Sequence, residues 1–275
     1  MQKVNEKKES VQEKRLQERM QKIKHKIIVM SGKGGVGKTT VAVNIAYQLA
    51  VQGSRVGILD VDIHGPNIAK MLGIEDAKLS TTNEEVQAFS VLPNLKAVSI
   101  AMLMENKDQP IIWRGPLKIQ VIKQFLSDVD WGELDYLVVD SPPGTGDEPL
   151  SVCQLISDIS GAVIVTTPQD VAILDSRKSI LFARSINVPI LGIIENMSGF
   201  VCPHCKKPIE MFGQGGGKKA ADDLKVPFLG CIEMDPQIVK QGDMGKPFIQ
   251  FNHNQPSVNC MDNIIKKIID GLKNE

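Results

Sequence analysis

Aromatic residues are scarce in this sequence, with two Trp and two Tyr among 275 residues. Its five cysteines are odd in number and unevenly spaced, which excludes a disulfide framework and points to a reducing compartment, the cytoplasm. Long hydrophobic runs are missing: no apolar stretch approaches the roughly 20 residues that cross a bilayer. The opening MQKVNEKKESVQEKRLQER has no apolar core and many acidic side chains, so it is neither a secretory signal nor a transit peptide. Net charge is absent too, since 32 basic residues face 32 acidic ones. The chain as a whole therefore lacks the electrostatic footprint of a nucleic-acid binder. Neither nucleic acid nor membrane is expected as a partner.

Residues 1–25 are dense in Lys, Glu, Gln and Arg, and read as a charged extension, helical or disordered. From Lys26 onward, short apolar runs alternate with amphipathic stretches. The runs are 26–30, 56–59, 95–100, 136–139, 162–165, 190–194 and 228–232, nearly continuous in Val, Ile and Leu. Such runs predict strands buried on both faces, hence a mostly parallel sheet. Helical periodicity falls at 39–52, 116–129, 171–186 and 257–272. The alternation predicts one doubly wound α/β domain over residues 26–275.

Between the first run and the first helix lies Ser31-Gly-Lys-Gly-Gly-Val-Gly-Lys-Thr39, a phosphate-binding loop of the form G-x-x-x-x-G-K-[ST]. Gly32, Gly34, Gly35, Val36 and Gly37 let backbone N–H groups turn toward phosphate, at a helix N-terminus that favours anions. Lys38 is expected on the β/γ-phosphates and the Thr39 hydroxyl on Mg²⁺, with Thr40 beside them, making MgATP the expected ligand. Asp60 and Asp62 follow the second run, and Asp140 ends the fourth. Carboxylates at strand ends lie on the ligand edge of such a sheet, so Asp140 suits Mg²⁺. Asp60 and Asp62 divide between the metal shell and the attacking water. Pro142-Pro-Gly-Thr-Gly-Asp147 reads as a switch, with the Gly144 N–H available to a γ-phosphate. His64 reads as flanking a helix or supporting the site from behind rather than as catalytic.

Lys33 is a second lysine early in the loop. Here the sequence resembles the deviant phosphate loop of the family containing MinD, ParA and the nitrogenase iron protein. The resemblance implies that Lys33 reaches across a homodimer interface to the partner's nucleotide, as a catalytic group beside Lys38. It also implies that Asp62 orients the attacking water, that Asp60 lies nearer the metal, and that the Asn196 amide reads adenine.

Cys202-Pro-His-Cys205 places two thiols where they can hold one metal ion together. The motif alone leaves half a zinc site, a redox dithiol and half an iron–sulfur site open. There is no second C-x-x-C, and Cys153, Cys231 and Cys260 fall singly within strand or helix patterns, as small core residues do. Two such pairs facing each other across a dimer supply four thiolates, enough for a 4Fe–4S cluster or for zinc.

The motifs around that pair resemble the Mrp (ApbC-like) family over about residues 26–250. They include Asp60-Val-Asp-Ile-His-Gly-Pro66, Trp113-Arg-Gly-Pro116, Asp140-Ser-Pro-Pro-Gly-Thr-Gly-Asp147, Ile209-Glu-Met-Phe-Gly213, Gly215-Gly-Gly-Lys-Lys219, Val226-Pro-Phe-Leu-Gly230 and Gly242-Asp-Met-Gly-Lys-Pro-Phe248. That resemblance implies an ATPase, with slow turnover, that carries iron–sulfur clusters. A 4Fe–4S cluster would bridge two subunits through Cys202 and Cys205, in a segment near 198–213, and pass to apo-proteins. The sequence departs from members with a four-cysteine N-terminal motif or an added small domain, so it is expected to be the minimal form. Two competitors remain. One is a ParA/MinD-like positioning ATPase that binds DNA or membrane, with the amphipathic stretch from Ile264 to Lys273 as anchor. The other is the same dimer with structural zinc.

Overall fold

The computed structural model describes residues 2–63, 65–82, 85–103, 115–202, 204–250 and 256–273. His64, Trp113 and Arg114, singled out in the sequence, lie outside the described residues.

Eight strands build the main sheet: β1 (Ile23–Met30), β2 (Val56–Asp60), β3 (Phe89–Leu92), β4 (Leu95–Ser99), β5 (Leu134–Asp140), β6 (Gly161–Thr166), β7 (Ile190–Asn196) and β8 (Phe228–Ile232). Their order is β8-β7-β6-β1-β5-β2-β4-β3. Every pairing is parallel except β3 with β4. The seven apolar runs are the seven parallel strands. Alternate residues serve opposite faces, as the pleat requires: Ile27 and Val29 join one hydrophobic core, Ile28 and Met30 the other. The strand without such a run is β3, a half-buried edge that returns antiparallel to β4.

The helices of eight or more residues are α1 (Gln2–Gln21), α2 (Lys38–Val51), α3 (Gly115–Asp128), α4 (Asp147–Leu155), α5 (Asp170–Ser185), α6 (Gly216–Leu224), α7 (Pro236–Asp243) and α8 (Pro256–Lys273). One face of the sheet is covered by α2 and α8, while α3 to α6 cover the other. This is the doubly wound, mostly parallel α/β sheet that the alternation of runs predicts.

In α8, Val258, Met261, Ile264, Ile265, Ile268 and Leu272 repeat at helical spacing and are all buried, giving the apolar stripe of an amphipathic helix. The stripe lies on α2 and β8, and Asp262 accepts a hydrogen bond from Gln48 of α2. The face considered as a membrane anchor is thus committed to the core. Among the described residues, no helix is long and apolar enough to cross a membrane.

The charged N-terminal segment forms α1, and the sheet begins at Ile23, ahead of the expected boundary at residue 25. Two apolar residues suffice to seat its last turns: Leu16 and Met20 are buried against α3 and the sheet. Arg19, also buried, forks between Asp130 at 2.6 Å and Glu85, a planar bidentate arrangement that lysine cannot reproduce. Glu13 pairs with Lys123 at 3.1 Å and Gln12 donates to Ser127, so this part of the extension is docked.

Candidate functional site

The parallel sheet brings the C-terminal ends of β1, β2 and β5 side by side, with Asp60 and Asp140 as register partners. The phosphate loop leaves β1 directly between that edge and α2. Gly32 abuts α5: a Cβ there would lie 2.2 Å from the backbone carbon of Asp175. Gly37 has φ of +82° and passes so close to Asn196 that a Cβ would meet its Nδ2 at 2.2 Å. Both positions therefore require glycine. Gly34 and Gly35 are exposed, Val36 is buried, and Lys33, Thr39 and Thr40 are half-buried.

Lys38 is buried between two carboxylates. Its Nζ lies 2.6 Å from Asp140 Oδ1 and 3.4 Å from Asp62 Oδ2. The other oxygen of Asp140 accepts from the Thr39 hydroxyl at 2.6 Å. Asp60 lies behind them: its carboxylate accepts from the N–H groups of Asp62 and Ile68, each at 3.2 Å, and from Ser99 Oγ at 2.9 Å. Asp60 thereby holds the backbone that follows β2, a structural task its sequence context did not reveal. Burial, with the Asp140 charge added, pushes its carboxyl up to about 8, while its donors and Lys38 pull the other way. Burial also raises Asp140, and the Lys38 ammonium counters that.

These residues suit a hard divalent cation. Three buried carboxylates, Asp60, Asp62 and Asp140, face one buried ammonium, and Asp62 Oδ1 is buried without any hydrogen-bond partner. Carboxylate and hydroxyl oxygens are the donors Mg²⁺ takes, typically one or two from protein and the rest from phosphate and water.

Residues 142–147, expected to act as a switch, are tied to the loop. The Gly144 N–H, expected to be available to a γ-phosphate, donates to the Ser31 carbonyl at 2.8 Å. Asn196 ends β7, and its Nδ2 donates to the Val36 carbonyl at 2.9 Å. Asn196 also lines a cavity of about 450 Å³ with Thr40, Asn44, Met197 and Asp235. Pockets of that size take small organic ligands.

Six residues beyond Asn196 the chain reaches the cysteine pair, on a short hairpin whose strands pair Phe200 with Ile209. Lys206 N donates to the Cys202 carbonyl and Cys202 N to the Lys207 carbonyl, closing a tight turn. Within it, interaction with the backbone N–H groups of Cys205 and His204 holds the Cys202 thiol below the ordinary range, with help from the Cys205 thiol. N–H groups directed at sulfur favour thiolate, the form that binds metal. Cys205 is exposed and Cys202 half-exposed. By contrast, burial pushes Cys153 up to about 11. Among the described residues, no third His, Cys, Asp or Glu side chain joins the two thiols in a group that could hold a metal.

Glu195 and Ser198 were not anticipated. The signal for Glu195 was the one used for Asp140, an acidic residue closing an apolar strand.

Loop, sheet order and paired carboxylates together define a P-loop NTPase. A model of the ParA family, described as NUBPL iron-transfer P-loop NTPase, matches residues 22–269. An iron-sulfur cluster carrier protein of Methanocaldococcus jannaschii is 49% identical over 262 residues, 95% of this chain and 90% of that protein. A cytosolic Fe-S cluster assembly factor NUBP2 homolog of Nematostella vectensis is 44% identical over 253 residues, 90% of this chain and 94% of that one. Among solved structures, a nucleotide-binding protein of Archaeoglobus fulgidus in complex with ADP superposes with a TM-score of 0.77 at 38% identity, covering 90% of this chain and 95% of the other. The chain belongs to the NUBPL-type iron-transfer P-loop NTPases of the ParA family.

Proposed function

We propose that this chain is an ATP-dependent iron–sulfur cluster carrier that works in the cytoplasm as a homodimer. Each copy binds MgATP, and two copies hold one 4Fe–4S cluster as cargo for apo-proteins. The carrying observation is the Cys202–Cys205 pair at the surface, half-exposed and exposed, with its depressed Cys202 thiol, in a chain of the iron-transfer family. Two thiolates are half of the four a cubane requires, so a second copy completes the set.

At the nucleotide, backbone N–H groups from Gly32 to Thr39 receive the phosphates, and Lys38 leaves Asp140 for the β/γ-phosphate oxygens. Thr39 and Asp140 hold Mg²⁺, with Asp60 behind them. The chemistry a bound Mg²⁺ supplies is neutralisation of phosphate charge. Asp62, whose Oδ1 has no partner of its own, orients the water that attacks the γ-phosphorus, and ADP and phosphate leave. Lys33 serves the nucleotide of the partner copy. The adenine occupies the cavity beside Asn196 and Thr40. Gly144 follows the nucleotide through Ser31, and slow hydrolysis marks one round of cluster loading or release.

Anaerobic reconstitution with iron and sulfide tests this, comparing the chain with a Cys202→Ala/Cys205→Ala double variant for iron, acid-labile sulfide, visible absorption and solution mass. The parent is expected to bind about four iron and four sulfide per dimer, and the variant neither. Zinc without sulfide would replace the carrier by a zinc-stapled dimer. Two colourless samples with intact ATPase activity would favour the positioning role.

A further inference from the structure

The last two residues of β7 face opposite ways, as adjacent strand residues do, and each holds a different part of the molecule. Asn196 contacts the phosphate loop through the Val36 carbonyl. The Glu195 side chain is buried, with an exposure of 1%, and holds the cysteine hairpin at both ends. Its Oε1 accepts from the Ser198 hydroxyl at 2.6 Å, on the leg entering the hairpin. The same oxygen accepts from Gly215 N at 2.9 Å, and Oε2 from Gly217 N at 2.5 Å, on the leg that leaves it.

The fit on the outgoing leg is close. A Cβ at residue 217 would lie 3.0 Å from Glu195 Cβ and 3.1 Å from its Oε2. Gly215 and Gly217 stand at the N-terminus of α6, where inward-turned N–H groups make a natural anion cradle. This glycine-rich stretch resembles a second phosphate loop in composition, yet its cradle is filled by the chain's own carboxylate. The segment 198–217, which carries Cys202 and Cys205, is therefore fixed at both ends to one residue. That residue is covalently next to the one touching the nucleotide loop.

We propose that Glu195 is a positioning residue that transmits nucleotide state from the phosphate loop to the cysteine pair. A shift of the Val36–Asn196 contact moves the end of β7. Glu195 moves with it, and through Ser198, Gly215 and Gly217 it changes how the two thiols are presented. The proposal rests on the carrier reading given above, but its test needs no cluster.

The test measures iodoacetamide labelling of Cys202 in cluster-free protein by mass spectrometry, with and without a non-hydrolysable ATP analogue and Mg²⁺. In the parent the two rates are expected to differ about fivefold or more, the lower end of ordinary coupling between sites. In Glu195→Gln, where one acceptor oxygen becomes an NH₂ facing an N–H, the ratio is expected to fall to one. Analogue binding should stay close to the parent's, while the melting temperature falls by the few degrees that an unpaired buried donor costs. A parental ratio in Glu195→Gln overturns the proposal, and so does a parent with no nucleotide effect. If Glu195→Gln does not fold, Ser198→Ala asks the same question from the entering leg: a reduced ratio supports the proposal, and a parental one overturns it. Failure of iron and sulfide to load would remove the carrier reading while leaving this ratio measurable.

Discussion

Lys38 lies between Asp140 and Asp62, and a phosphate entering the loop has to draw it away from both. The Asp62 carboxylate already has one oxygen without a partner, so losing Lys38 leaves it as the group best placed to accept a proton-bearing water. Asp62→Asn is expected to keep nucleotide affinity and lower the turnover number about 10²-fold or more, as loss of a positioned base does. Steady-state ATPase rates beside fluorescent-nucleotide titrations check this. The cysteines make a second residue-scale prediction. Thiolate is the reactive form, so a depressed thiol alkylates at lower pH than an ordinary one and a raised thiol only at higher pH. The pH–rate profile of Cys202 is therefore expected to rise below the ordinary thiol range, and that of Cys153 to rise toward about 11. Site-resolved mass spectrometry distinguishes the two, and coincident profiles would sink this account of the hairpin.

At the scale of elements, α1 shows how much packing a composition can hide. The seven parallel strands were legible because Val, Ile and Leu run uninterrupted where both faces are covered. The strand β3 was not, since a half-buried edge needs no such run. Nor was the docking of α1 legible, because it depends on Leu16, Met20 and the forked Arg19, sparse within a polar helix. Its partners Glu85 and Asp130 are distant in sequence. Truncating Met20 to Ala is expected to cost about 2–5 kcal/mol, the range for buried large-to-small changes, measured by urea unfolding. In α8, Ile268→Ala should cost a similar amount, with no change in vesicle binding. A variant that unfolds no more easily but loses affinity for anionic vesicles would restore the membrane reading. The phosphate loop was legible because its residues are contiguous. Glu195 was not, because Gly215 and Gly217 lie 20 and 22 positions away and meet it only once the sheet is built.

For the whole molecule, a cluster shared between the Cys202–Cys205 pairs of two copies, as proposed above, would make cargo binding a property of the assembly. Parent subunits mixed with an equal amount of the double cysteine variant, and allowed to exchange, pair at random in a two-fold assembly. By those statistics about one quarter of the dimers carry both Cys202–Cys205 pairs, and iron per dimer should fall to that fraction of the parental value. Half the parental value would mean that each chain loads alone, and the shared-site proposal would fail.

The sheet order also sets a timetable for synthesis. Strand β1 lies at the centre, with Ile28 paired to Val139 on one side and to Ala162 on the other. It has no sheet neighbour until more than a hundred further residues have been made. At ordinary elongation rates that delay is about 5–20 s. Throughout it, a strand as apolar as Ile27 to Met30 remains unpaired, an edge open to chaperones and to other nascent chains.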